Sequence, residues 1–284
     1  MKDHKFHLMT DSTSDISQAE AKKLGITVLP LGINFGTESY IDGVTLTTKE
    51  FFKKLRKCTE LPKTSLISDE TIREGVLKNI NKTEVVFITI SSGMSGTYGN
   101  AMRVKKELPE AQGKKFHIVD SEVTTISLGA LVLEAIKMRD NGATAMEVVK
   151  EMEILRHKVE VLAVIDTLKY LKMGGRIKPT KFIIGNLLNI KPICSLQDKV
   201  VVNVGKAMGY AKARHEVLRM IGEYEIDTNR VFLAGHTDNI ENANILAKMA
   251  KEKFGIKEVQ IRDIGATVGT HIGPDASGLV FFKK

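Results

Sequence analysis

Along the first half of the chain, short β-branched apolar runs alternate with stretches whose apolar positions recur every three to four residues. Lys5 to Thr10 reads as a strand, followed by a polar loop from Asp11 to Asp15. Ser17 caps a helix that Gly25 ends. Ile26 to Phe35 is extended, and Gly36 turns the chain before Tyr40. Thr47 or Thr48 caps a helix through Lys57, and Ser68 with Asp69 caps another running to about Ile80. Glu84 to Ile90 suits a central strand, because it is apolar on both faces. A helix from Ser95 to Leu108, a strand from Phe116 to Val119 and a helix from Thr125 to Asp140, closed by Gly142, complete the series. Such β–α–β alternation predicts a parallel sheet.

A further helix, Thr144 to His157, presents Met146, Val149 and Met152 to Leu155 as its apolar side, and Val159 to Ile165 is the next strand. The pattern then changes. Ile190 to Leu196 and Lys199 to Val204 form a hairpin around Asp198, and a long helix runs from Met208 to about Tyr224. Strand Arg230 to Ala234, helix Ile240 to Phe254, strand Glu258 to Asp263 and strand Leu279 to Phe282 follow. The expected architecture is α/β with two domains: an N-terminal parallel-sheet α/β domain over residues 1–158 and a C-terminal α+β domain over 159–284.

Composition narrows the class. With 284 residues, 43% of them hydrophobic, the chain is large enough for two cores and too apolar to be disordered. The longest apolar stretch, Leu128 to Ile136, contains Glu134 and falls well short of the about 20 residues a bilayer demands. The first ten residues show no apolar signal segment, so a cytoplasmic location is expected. Two cysteines, Cys58 and Cys194, stand far apart in no metal spacing, so neither a zinc site nor a disulfide framework is expected. The net charge of +8 points to an anionic partner, such as an acidic protein surface or, transiently, an anionic membrane surface. The basic residues lie along helical faces without interleaved aromatics, which argues against nucleic acid.

Candidate chemistry gathers where strands of a parallel sheet would end. Asp11 to Ser14, Ser91 to Thr97, Asp120 with Ser121, Asp166 with Thr167, and His236 with Thr237 all follow predicted strands. Helix capping accounts for any one of these loops, but their number suggests a shared site. In the Ser91 to Thr97 loop, Gly93 and Gly96 permit close backbone approach. The following helix start adds free N–H groups and Ser95 and Thr97 add hydroxyls, which together make an anion cradle. No Lys follows the glycines as a nucleotide loop requires, and Thr97 stands where a nucleophile elbow needs its second Gly. Gly265 to Gly278 reads as a Gly-rich loop carrying His271, which could hydrogen-bond an anion and, protonated, pair with it. Between these, Gly174 and Gly175 break a helix ahead of Arg176. Phe182, Ile183, Ile184, Leu187, Leu188, Ile190 and Ile193 then form an apolar series that is either core or the wall of an apolar cavity.

Taken in order, these pieces resemble the DegV family of bacterial fatty-acid-binding proteins. The matching segments are D-S-T-S-D at Asp11 to Asp15, V-L-P-L at Val28 to Leu31, Y-x-D-G at Tyr40 to Gly43, and P-x-T-S at Pro62 to Ser65. They continue with I-S-S-x-x-S-G-T-Y at Ile90 to Tyr98 and V-D-S at Val119 to Ser121. D-T-L-x-Y-L-x-x-G-G-R-I at Asp166 to Ile177, L-L-N-I-K-P-I at Leu187 to Ile193 and G-T-H-x-G-P at Gly269 to Pro274 complete them. The resemblance implies one long-chain fatty acid in a buried tunnel between two domains. Carried over by position, Thr64, Ser95 and His271 would bind its carboxylate, with Ser65, Gly96, Thr97 and Arg176 in support. It also implies a partner, a separate ATP-dependent kinase subunit that converts the bound acid to an acyl phosphate. No cofactor and no metal are implied. The chain departs from the family at Leu66 and Ile67, at Ile272 and Asp275, and at Met208, where a basic residue is usual on the surface expected to meet the kinase. The competing reading is an acyl hydrolase or transferase with Ser95 as nucleophile and His271 as base; no acidic residue can be matched from sequence to orient His271.

Overall fold

β1 (Phe6–Asp11), β2 (Thr27–Leu29), β6 (Glu84–Thr89) and β7 (Phe116–Asp120) form an all-parallel sheet in the order β2-β1-β6-β7. The computed structural model describes residues 4–178 and 189–284. Val85 to Ile88 are wholly buried, as expected of a strand covered on both faces. The chain leaves β1 towards β2 on one side and leaves β6 towards β7 on the other. The carboxyl ends of β1 and β6 therefore flank a switch point, the usual ligand position in open parallel sheets. The Ile90 N–H bridges that point by donating to Asp11 Oδ2 at 2.7 Å.

The expected extended run Ile26 to Phe35 is two strands in two sheets. Pro30, which has no N–H to give a ladder, separates β2 from β3 (Gly32–Phe35). β3 pairs antiparallel with β4 (Glu38–Ile41) and with β5 (Lys63–Ser65) in a small sheet. β5 has no apolar alternation, and periodicity could not reveal it.

In the second half, β8 (Val159–Val164), β9 (Ile190–Gln197), β10 (Val200–Met208), β11 (Leu233–His236), β12 (Gln260–Asp263) and β13 (Ser277–Phe282) form one sheet in the order β10-β9-β8-β13-β11-β12. Only β11 and β12 run parallel. The β9–β10 hairpin turns at Asp198 and Lys199, both with φ in the left-handed region (47° and 70°), as a two-residue hairpin loop demands. The strand expected over Arg230 to Ala234 is shifted to β11.

The connecting helices are α1 (Gln18–Leu24), α2 (Thr48–Leu55), α3 (Asp69–Ile80), α4 (Thr97–Glu107), α5 (Glu110–Gly113), α6 (Ile126–Asp140) and α7 (Ala145–Leu155) in the first half. α8 (Lys169–Gly174), α9 (Gly209–Ile221), α10 (Ile240–Phe254) and α11 (Ala266–Ile272) follow. Ser17, Thr47, Ser68 and Thr144 each accept a first-turn N–H as caps. α7 buries Ala145, Val148, Met152 and Leu155, one helical stripe; Met146 and Ile154, expected on that side, face solvent. α11 corrects another expectation: half of the Gly265 to Gly278 segment, including His271, is helix rather than loop. Its Gly269 sits where a Cβ would meet the Phe52 and Phe51 rings at 2.7 and 2.9 Å. That glycine serves close packing rather than a turn.

α6 is apolar on every side because it lies between layers. It packs on β1 and β6 of one sheet and on β8, β11 and β13 of the other. Its Leu128, Leu131 and Val132 share one core with Phe6 and Leu8 from β1 and with Val161 and Val280 from the second sheet. On the opposite face of that sheet, Leu162, Leu279 and Phe281 pack against Val217 of α9 and Leu246 of α10. No helix among the described residues is long and apolar enough to cross a membrane. Of the apolar series, Phe182, Ile183, Ile184, Leu187 and Leu188 lie outside the described residues.

Candidate functional site

The site begins at the end of β6. There the chain makes one turn in which Ser91 C=O accepts the N–H groups of Met94 and Ser95, and then enters α4 at Thr97. The helix starts two residues later than expected, so Ser95 and Gly96 precede it. Gly96, the N-cap, supplies no side-chain bond, which leaves N–H groups of the first turn without an intrahelical acceptor. Thr97 N–H donates to Ser95 Oγ (3.3 Å), whose hydroxyl also pairs with Thr97 Oγ1 (3.0 Å). A Cβ on Gly96 would stand 2.9 Å from Leu66 Cδ2. A Cβ on Gly93 would press to 2.7 Å on the Lys199 carbonyl. The close approach at both glycines is thus to neighbouring parts of the chain, where the sequence reading expected a ligand; Gly96 lines the cavity described below and Gly93 does not.

Two other elements bring side chains to this loop. β5 supplies Thr64 and Ser65, and α11 supplies His271 from its last turn. Thr64 Oγ1 lies 3.1 Å from His271 Nε2. The other ring nitrogen, Nδ1, is buried without a partner and abuts Gly174, where a Cβ would come within 2.3 Å of it. Burial, with the Arg176 charge adding, pushes the His271 pKa down to about 4. The ring is therefore neutral near pH 7, against the expectation of a protonated partner for an anion. Arg176 follows α8 and donates to Gly174 C=O at 2.5 Å.

Thr64, Ser65, Ser95, Gly96, Arg176 and His271 line one cavity of about 150 Å³. Thr97 does not line it; it is buried and acts through Ser95. A second cavity of about 60 Å³ adjoins the first and shares Thr124, Val201, Val268 and Ile272 with it. This one lies between α6 and the second sheet, where Ile126, Val161, Ala163, Cys194 and Leu196 form its wall. None of the described side chains lining it is charged. A chamber that sets hydroxyls, His271 and Arg176 among apolar side chains, next to a second apolar cavity, suits an amphiphile with an acidic head and a hydrocarbon tail.

Of the remaining strand-end loops, Asp11 to Ser14 reaches this cavity through Thr13, whereas Asp120 with Ser121, Asp166 with Thr167 and His236 with Thr237 do not line it, so the shared site expected for them is only partly assembled. Asp11 accepts from the Ile90 and Thr13 N–H groups and the Thr13 hydroxyl. Asp15 accepts from Gly265 N–H (2.8 Å) and Thr125 Oγ1 (2.7 Å), and Asp42 from Ser12 Oγ and from the N–H and hydroxyl of Thr267. The D-S-T-S-D segment with Asp42 thus fastens the start of α11, the helix that carries His271. Burial raises all three carboxyl pKa values: Asp11 to about 6, Asp15 to about 8, and Asp42 in the same direction. Asp120 accepts from Lys199 Nζ at 2.8 Å, Asp166 accepts from Lys191 and Tyr210, and His236 pairs with Asp263. Thr237 Oγ1 accepts the Ala276 N–H. Asp42 lies in the Y-x-D-G segment, which by itself assigns it no role, and Thr124 escaped the sequence reading, since it sits in no pattern that a linear scan separates from a turn. Among the described residues no group of three or more potential ligands could hold a metal ion.

A hydrolytic trio is not assembled. Ser95 Oγ bonds Thr97, not His271, and no carboxylate meets His271 Nδ1.

Comparison with known proteins agrees with an amphiphile site. The chain is 33% identical over 283 residues to a DegV domain-containing protein of Caldanaerobacter subterraneus, with 99% of each chain covered. A fatty-acid-binding DegV family protein from Thermus thermophilus superimposes with a TM-score of 0.88 at 28% identity, covering 99% of this chain and 100% of that one. DegV, a fatty acid binding protein from Bacillus subtilis, superimposes with a TM-score of 0.83 at 26% identity, covering 99% and 100%. The family model described as "Uncharacterised protein, DegV family" matches residues 5–284, and with these relatives it shows that the chain belongs to the DegV family.

Proposed function

We propose that this protein binds a long-chain fatty acid between its two halves, residues 1–158 and 159–284, and presents the carboxylate to a separate ATP-dependent kinase subunit for acyl-phosphate formation. The observation that carries the binding reading is a pair of adjoining cavities that share Thr124, Val201, Val268 and Ile272, one bringing Thr64, Ser95, Arg176 and His271 together and the other without charged side chains among its described lining. The relatives from Thermus thermophilus and Bacillus subtilis, which bind fatty acids, support it.

The two chambers contribute differently. Burying an acyl chain of about 15 carbons is worth roughly 12 kcal/mol at ~0.8 kcal/mol per methylene, before the cost of ordering it. Hydroxyl hydrogen bonds contribute about 1 kcal/mol each, somewhat more to a charged acceptor. The apolar chamber therefore holds the lipid, while Thr64, Ser95 and His271 fix its direction and expose the carboxylate to a phosphoryl donor. Ser65, Gly96, Thr97 and Arg176 support them. Replacing Ser95 with Ala should leave lipid bound and slow phosphoryl transfer at least tenfold, measured with labelled ATP and the kinase subunit. Loss of all bound lipid in that variant would contradict this division of labour. Kinase docking is the part that this chain's own sequence alters. Met208 is 57% exposed at the junction of β10 and α9, the position where the family resemblance implies a basic residue. Met208→Arg should lower the KM for this protein as the kinase's substrate, and an unchanged KM would move docking elsewhere.

A further inference from the structure

We propose that Thr124 is a specificity residue: it selects acyl chains that carry a hydrogen-bonding oxygen, such as a hydroxyl, close to the carboxyl end. The inference rests on the fatty-acid reading and names the substrate class of the same site.

Thr124 is the one polar residue among those shared by the two cavities; Val201, Val268 and Ile272 are the others. It therefore stands where an acyl chain leaves the carboxylate chamber and enters hydrocarbon surroundings. Its side chain is buried, and Oγ1 has no hydrogen-bond partner. A buried hydroxyl without a partner is costly, and a valine of nearly the same shape would line the passage without that cost. The other orphaned hydroxyls do not share this position. Thr10, Ser14 and Ser127 line neither cavity. Ser277 borders the apolar one but shares a face of β13 with Leu279 and Phe281, whose side chains pack on the side of the sheet away from α6.

The loop around Thr124 is held in place, so it cannot swing to find a partner elsewhere. Val123 C=O accepts the Ser91 N–H (2.8 Å) and the Ser121 hydroxyl (3.0 Å). On the other side, Thr125 has φ 57° and ψ −149°, a conformation that β-branched residues rarely adopt, and Thr125 Oγ1 donates to buried Asp15 at 2.7 Å. Local strain of this kind persists only where the surroundings impose it. A carboxylate bound in the first chamber already has Thr64, Ser95, His271 and the N–H groups of α4 to meet its oxygens. The acceptor or donor left for Thr124 is then a substituent on the first carbons of the chain. Sites built around one hydrogen bond reject the analogue that lacks it more strongly than apolar sites reject an added methylene.

The test compares binding of palmitate, 2-hydroxypalmitate and 3-hydroxypalmitate to delipidated protein by titration calorimetry, for wild type, Thr124→Val and Thr124→Ser. Wild type and Thr124→Ser should bind one hydroxy acid about five- to tenfold more tightly than palmitate, the worth of one net hydrogen bond. Thr124→Val should reverse that order, losing the hydroxy acid and binding palmitate several-fold better. Equal affinities of wild type and Thr124→Val for every acid would overturn the inference. So would a Thr124→Val variant that weakens palmitate and the hydroxy acids alike, because the hydroxyl would then serve the carboxylate. If wild type binds none of the three acids, the fatty-acid reading itself fails and this inference with it, an outcome distinct from the others.

Discussion

Asp15 keeps its proton well above the pH at which an exposed aspartate loses it. Burial, with the Asp42 and Asp263 charges adding, lifts its pKa from 3.8 to about 8 against the bonds from Gly265 and Thr125. Between those values the folded protein holds a proton that the unfolded chain releases, so this group's contribution is complete below pH 4 and fades as the pH rises through about 8. Asp15→Asn keeps an oxygen that can accept from Gly265 N–H and has no carboxyl to ionise. It should remove a loss of about 1–2 kcal/mol that wild type suffers between pH 6.5 and pH 8, measured by urea unfolding at the two values. Parallel curves for the two proteins would show that Asp15 is ionised in the folded state. His271 works in the opposite sense: its pKa falls from 6.5 to about 4, so its contribution is complete above pH 6.5 and is lost on acidification towards pH 4. Local sequence foretells caps such as Ser17 and Thr144 because the partner N–H lies three residues away. It does not foretell the meeting of Thr64 with His271, 207 positions apart, or the choice of a neutral imidazole, which burial decides.

At the scale of elements, the β9–β10 hairpin contributes to the walls of both cavities. Val201 lines both cavities and Leu196 the apolar one, while the turn at Asp198 and Lys199 rests on the cradle loop. There Ser91 Oγ donates to Lys199 C=O at 2.8 Å, and Lys199 Nζ reaches Asp120 at 2.8 Å and Glu122 at 3.1 Å. Asp120 is buried and keeps its bonds from Ser92, so losing the lysine should cost about 1–2 kcal/mol rather than unfold the protein. Lys199→Ala should speed dissociation of bound fatty acid several-fold, read by stopped-flow transfer to an acceptor protein. An unchanged rate would place the exit away from this hairpin. The hairpin was legible in the sequence because its strands carry β-branched runs either side of a short polar turn. β5 and α11 were not, for opposite reasons: β5 is three polar residues long, and α11 is Gly-rich because Phe51 and Phe52 pack against its backbone. Propensity alone reads both as loop.

For the whole molecule, α6 explains why an apolar stretch too short to span a bilayer is so apolar. It is the common layer between the parallel sheet and the second sheet, and the passage at Thr124 and Ile126 opens at its first turn. The class of each half follows from alternation of strands and helices, which a linear reading detects. The joining of the halves does not, since it rests on contacts such as Arg262 with Glu20 and Gly265 with Asp15, whose partners lie more than 240 positions apart. A protein that binds a fatty acid as proposed should be more stable loaded than empty. Delipidation should lower the Tm, and added fatty acid should restore it in proportion to the logarithm of its free concentration. The most direct measurement is mass spectrometry of the purified protein, first under native and then under denaturing conditions. The account predicts a native mass exceeding the chain by one fatty acid, released on unfolding. Bare protein after gentle purification, with no uptake when a long-chain fatty acid is supplied, would contradict it.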